Sequence, residues 1–70
     1  MRITINAEYD SEASVWYVAH SSLPGLHIEG ATLPELQERL PGAIEDLLEG
    51  SGRQEVDFDL ITHGHVTVAA

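Results

Sequence analysis

The stretch from Trp16 to Leu36, WYVAHSSLPGLHIEGATLPEL, constrains this chain most, because it encodes a strand, a rigid turn, a second strand and a capped helix without interruption. Leu23-Pro24-Gly25-Leu26 supplies the turn: Pro24 presets φ for the first central position, and Gly25 tolerates the positive φ that a type II turn needs at the second. Thr32-Leu33-Pro34-Glu35 supplies the helix start. The Thr32 hydroxyl is placed to accept from the Glu35 amide, and the Glu35 carboxylate to reach back to the Thr32 amide. Pro34 falls in the first helical turn, where its missing N–H is not needed.

Two strands precede this stretch or open it. Residues 2–8 alternate, with Ile3, Ile5 and Ala7 on one face and Arg2, Thr4, Asn6 and Glu8 on the other, the period of a half-buried strand. After a hairpin loop over 9–14, the β-branched and aromatic run Val15-Trp16-Tyr17-Val18-Ala19 predicts a second, antiparallel strand. Trp16 and Tyr17 point to opposite faces, and the register decides which ring is core. Leu26-His27-Ile28-Glu29 predicts a short third strand.

Helical spacing follows at Leu33, Leu36, Leu40, Ala43, Ile44, Leu47 and Leu48, with Gly50 as the expected C-cap. Pro41-Gly42 predicts a kink, or a restart with Pro41 in the first turn of a second segment. Past a connecting loop over 51–54, residues 55–61 alternate again, with Val56, Phe58 and Leu60 inward and Glu55, Asp57 and Asp59 outward. Residues 63–68 either continue this strand past a bend at Gly64 or form an exposed edge. The predicted fold is therefore α+β: a three-stranded antiparallel meander, one helix kinked near Pro41-Gly42 on one sheet face, then a final strand able to pair beside the first (βββαβ).

At 70 residues the chain has room for one domain with one small core, and a chain this short buries only about 60% of its unfolded surface. Self-association or a partner is expected to help. With no cysteine there is no disulfide framework and no thiolate zinc site, which fits a reducing cytoplasm. The opening MRITINAEYD has no apolar signal segment, and no run approaches the roughly 18 apolar residues of a membrane span. Twelve Asp and Glu face three Arg and no Lys, a formal net charge of −9. Such a surface repels phosphates and excludes direct nucleic-acid binding, while it would steer a basic protein partner.

The Leu23-Pro24-Gly25-Leu26 turn, the short strand after it and the Thr32-Leu33-Pro34-Glu35-Leu36 helix start resemble the HicB antitoxin family in its compact N-terminal form. The Asp10-Ser11-Glu12-Ala13 loop, the strand at 15–19 and the helix through Leu40-Pro41 to Leu47-Leu48 extend the likeness over nearly the whole chain. The resemblance implies a single HicB-like domain over residues 1–70 with a partial ribonuclease H-like fold. It also implies an antitoxin, not an enzyme, that masks a small basic HicA-type ribonuclease toxin, acting as a homodimer or higher homo-oligomer in the cytoplasm without a cofactor. Fuller family members carry a C-terminal DNA-binding module, and nothing in this sequence could serve as one.

Three clusters carry candidate chemistry. Glu45, Asp46 and Glu49 crowd the predicted helix C-terminus, where the macrodipole favours cations, and so form an acidic patch suited to Arg or Lys of a partner. Asp57 and Asp59 share the outer face of the last strand and form either a solvated acidic face or part of the same partner surface. A nuclease centre there would need an Asp in the first strand, which has none. His63 and His65, with His20 and His27 bracketing the turn, would bind zinc in a small oligomeric metal- or ligand-binding module only if they converged, which nothing in their spacing requires. Ser21 and Ser22 lack a nucleophile-elbow context.

Overall fold

The computed structural model of the chain describes every residue except 51, 53, 65 and 70. Its elements are β1 (Arg2–Asp10), β2 (Val15–Ser21), β3 (Glu29–Gly30), α1 (Leu33–Leu47) and β4 (Asp57–Ile61). They form one four-stranded sheet in the order β3-β2-β1-β4. β1 and β3 run antiparallel to β2, whereas β4 runs parallel to β1 with Ile3 opposite Phe58 and Ile5 opposite Leu60. The sheet is thus mixed. A parallel partner requires a crossover connection, and α1 provides it by carrying the chain from the β3 edge to the β4 edge.

The core lies between α1 and one sheet face. Ile3, Ile5 and Ala7 of β1 and Val18 of β2 meet Leu36, Leu40 and Ile44 of the helix, with Leu26 closing the turn end. A bulge between Asn6 and Ala7 leaves Ala19 without a direct partner in β1 and shifts the side-chain alternation of β2. His20 consequently sits beside Asn6 on the outer face and Ser21 beside Ile5. The same register settles the aromatic pair. Trp16 packs against the core with its ring 5.4 Å from that of Tyr9. Tyr17 stands on the outer face opposite Glu8, its hydroxyl 3.4 Å from Glu8 Oε2, and that carboxylate's charge holds the phenol above its ordinary pKa.

Several local expectations are met by named bonds. Thr32, in extended conformation, caps α1 by accepting from the Glu35 N–H at 3.2 Å. The reciprocal half of the capping box is absent, because Glu35 turns instead to Arg39 at 2.6 Å. Asp10 Oδ1 accepts from the amides of Glu12 and Ala13 at 2.9 and 3.3 Å, folding the acidic hairpin loop on itself. Gly25 takes φ +84°, as the Leu-Pro-Gly turn demands.

Four further expectations are corrected or narrowed. The third strand is only Glu29–Gly30, because Leu26 drops into the core and its neighbours lose the flat pairing a longer strand requires. α1 runs from Leu33 to Leu47 as one element through Pro41-Gly42, without a restart: Pro41 lies on the exposed side, so its ring and the carbonyl it leaves unpaired face outward. The helix caps at Leu48 and not at Gly50, which takes φ +86° two residues later. Finally, β4 starts at Asp57, and the described residues beyond Ile61 form no strand.

Candidate functional site

α1 lies closest to β3 and β2, toward one side of the sheet. On the other side Val56, Phe58 and Leu60 are only half buried. Between the last turns of the helix and the start of β4 this offset opens a groove of about 940 Å³. Ile44 and Leu48 form one apolar wall, Val56 and Phe58 the other, and Glu45, Asp46 and Glu49 stand around them.

The three carboxylates meet at one end of the groove: Glu45 and Asp46 lie in the last helical turn and Glu49 just past the Leu48 cap, and all three line it. All three are exposed. Among the described residues none of them has a hydrogen-bonded or ion-paired side-chain partner. The last helical turn also contains no basic residue, so these charges sit unopposed at the negative end of the macrodipole. A cationic side chain from outside is the species this arrangement can stabilise.

Asp57 and Asp59 are placed elsewhere. Strand alternation that points Phe58 at the helix sends them to the opposite face, alongside Arg2 and Thr4. Asp59 is already engaged: Arg2 Nε and Nη2 donate to its two carboxylate oxygens at 2.9 and 3.0 Å. This bidentate bond and the attraction behind it hold the Asp59 carboxyl below its ordinary pKa and the Arg2 guanidinium above its own. The structure therefore brings Glu45, Asp46 and Glu49 together and separates Asp57 and Asp59 from them. Sequence reasoning missed the Arg2–Asp59 pair, since only the parallel register sets Arg2 beside this strand. It also missed the groove walls, which read as ordinary core positions.

The described histidines form no metal-holding group. His20 is exposed on the outer face, His27 is exposed after the turn, and His63 is exposed beyond β4, while His65 lies outside the described residues. Among the described residues no group of three or more His, Cys, Asp or Glu is placed to hold a metal ion. The two serines are used by the backbone. Ser21 Oγ accepts from the Leu23 N–H and Ser22 Oγ from the Thr4 N–H, each at 3.0 Å. No helix among the described residues is long and apolar enough to cross a membrane.

Comparison with known proteins bears on the whole chain. A family model described as a domain of unknown function, DUF1902, matches residues 2–68. The crystal structure of hypothetical protein TTHA1013 from the extremely thermophilic bacterium Thermus thermophilus is similar at a TM-score of 0.79 and 32% sequence identity, covering 97% of this chain and 100% of that one. No curated protein matches the chain. Neither match names an activity or the HicB family.

Proposed function

The chain belongs to the DUF1902 family, and on that footing we propose that it is a non-enzymatic binding domain of the HicB-like antitoxin type, with a partial ribonuclease H-like fold. It acts in the cytoplasm by masking a small basic HicA-type ribonuclease. One observation carries the reading: Glu45, Asp46 and Glu49, unpaired among the described residues, stand around an apolar groove of about 940 Å³. A groove with an apolar floor and an acidic rim suits a protein segment that inserts an aliphatic or aromatic side chain and lays Arg or Lys across the carboxylates. The formal charge of −9 adds long-range attraction for such a partner and speeds encounter at low salt. Asp59 has a smaller part than its position in the sequence suggests, because Arg2 occupies it. Asp57, exposed on the far face, would be reached only by a partner that wraps the β4 edge.

The test is binding of the purified chain to the product of a small basic reading frame encoded beside it, measured by calorimetry at low salt and again at about 0.5 M salt. Binding that weakens with salt is expected, as is its loss in Glu45→Gln, Asp46→Asn, Glu49→Gln. Those carboxylates oppose the helix dipole, so neutralising them leaves the fold intact or slightly more stable, and lost binding cannot be put down to unfolding. Absence of binding at low salt would overturn the reading.

A further inference from the structure

β4 is the outermost strand on its side of the sheet, and its free edge is open. The Asp57 N–H donates to the Met1 carbonyl at 2.9 Å, so residues 57, 59 and 61 bond β1 and the backbone N–H and C=O groups of Phe58 and Leu60 point away from it. Among the described residues no backbone group of another element pairs with them. The opposite edge is closed, because Arg39 donates to the Glu29 carbonyl at 2.8 Å and Gly30 lies against the helix backbone. Proteins usually blunt an open edge with a proline, a lysine or an inward-pointing charge. Residues 56–61 contain no proline or lysine, and their two charges point outward.

The two faces along this edge differ in chemistry. On the helix side Val56, Phe58 and Leu60 form a half-buried apolar row. The groove lies beside Val56 and Phe58, and a second hollow of about 620 Å³, lined also by Leu33, lies beside Phe58 and Leu60. On the outer face stands Asp57, exposed and without a hydrogen bond or ion pair among the described residues, next to Asp59, which Arg2 holds. A strand laid along β4 presents its side chains alternately to these two faces.

We infer that the partner binds as a fifth strand: an extended basic segment, antiparallel to β4, whose apolar residues face Phe58 and Leu60 and whose intervening Arg or Lys face Asp57 and Asp59. The inference rests on the proposed function and deepens it, by naming the kind of segment the partner contributes. Antiparallel pairing is the more stable direction, and it gives one set of residues two tasks. Those opposite Phe58 and Leu60 exchange backbone bonds with them and also send their side chains to the apolar row, where the groove and the second hollow leave room. Charge selects the occupant. A second copy laid on this edge would set Asp57 and Asp59 against their own counterparts, in chains that each carry −9. A cationic strand meets the same carboxylates favourably, and Asp57, which a partner confined to the helix-end groove does not reach, gains a role.

The probe is a short capped peptide that alternates valine and arginine, titrated at low salt into the isotopically labelled full chain. The amides of Phe58 and Leu60 are expected to exchange rapidly with solvent in the free chain and to become protected on binding, while the Asp59 amide, bonded to β1, is protected in both states. N-methylation of the valines removes donors that the edge needs and is expected to weaken binding by about tenfold or more. N-methylation of the arginines, whose amides face away, leaves binding unchanged. A peptide of the same composition with its arginines grouped before its valines tests charge alone and is expected to bind more weakly. No binding at low salt, binding without protection of the Phe58 and Leu60 amides, or equal binding of the valine-methylated or the grouped peptide would overturn the inference. The two readings fail separately. A chain that takes up the alternating peptide as described but not the product of the neighbouring reading frame sinks the antitoxin reading and keeps the fifth strand, whereas a bound product that leaves those two amides unprotected does the reverse.

Discussion

The two edges of the sheet are built to opposite standards. At the β3 edge the Gly30 backbone lies so close to α1 that a Cβ there would stand 2.7 Å from the Leu36 nitrogen, Arg39 caps the Glu29 carbonyl, and Leu36 and Leu40 are fully enclosed. At the β4 edge Val56, Phe58 and Leu60 face a helix that has moved off them, and grooves of about 940 and 620 Å³ flank the strand. One helix of 15 residues crossing four strands cannot cover both sides. In this molecule stability is concentrated at the edge laid down by consecutive elements, and free surface is left at the edge reached only through the crossover.

The sharpest way to break that comparison is a matched pair of truncations. Leu40→Ala removes a fully buried side chain and is expected to cost about 2–5 kcal/mol, enough to unfold much of a domain this small. Phe58→Ala, at a half-buried position, should cost roughly half as much in the monomer despite the larger side chain. Equal losses in urea denaturation would mean that the two edges are packed alike. Next in size, Gly30→Ala forces the strand or the helix to shift, because the obstacle is backbone, and a loss of about 1–3 kcal/mol is expected. Gly64→Ala, which has open space around it, serves as the neutral control.

Thr32→Ala should lower stability by about 1 kcal/mol through loss of the bond to the Glu35 amide, read as a shift in the urea midpoint without a change in slope. Smallest is the exposed Arg2–Asp59 pair, which ties β4 to β1. The folded Asp59 has a lowered pKa, so its contribution is present above its ordinary value of 3.8 and disappears as pH falls through the lower folded value. The stability gap between parent and Arg2→Ala should therefore be small but measurable near pH 6 and vanish in acid. A gap that persists in acid would assign the effect to packing of the arginine stem.

Much of this was legible in the residues. Local rules fixed the Pro24-Gly25 turn, the Thr32 cap, the i,i+4 pair of Glu35 and Arg39, and the inward sets Ile3, Ile5, Ala7 and Val56, Phe58, Leu60, because each depends on neighbours within four positions or on a period of two. The convergence of Glu45, Asp46 and Glu49 followed from the same short range. What the sequence left open was long-range. The hairpin register, with Ala7 opposite Val18, Glu8 opposite Tyr17 and Tyr9 opposite Trp16, decided that Trp16 faces the core and Tyr17 the solvent. The parallel register joined Arg2 to Asp59 and took that carboxylate away from the acidic patch. The lateral seat of the helix turned Val56 and Phe58 from core into groove wall. Alternation and capping are properties of a few consecutive residues, whereas strand direction and helix offset depend on how the whole chain closes over one small core, and that closure is decided only in the tertiary structure.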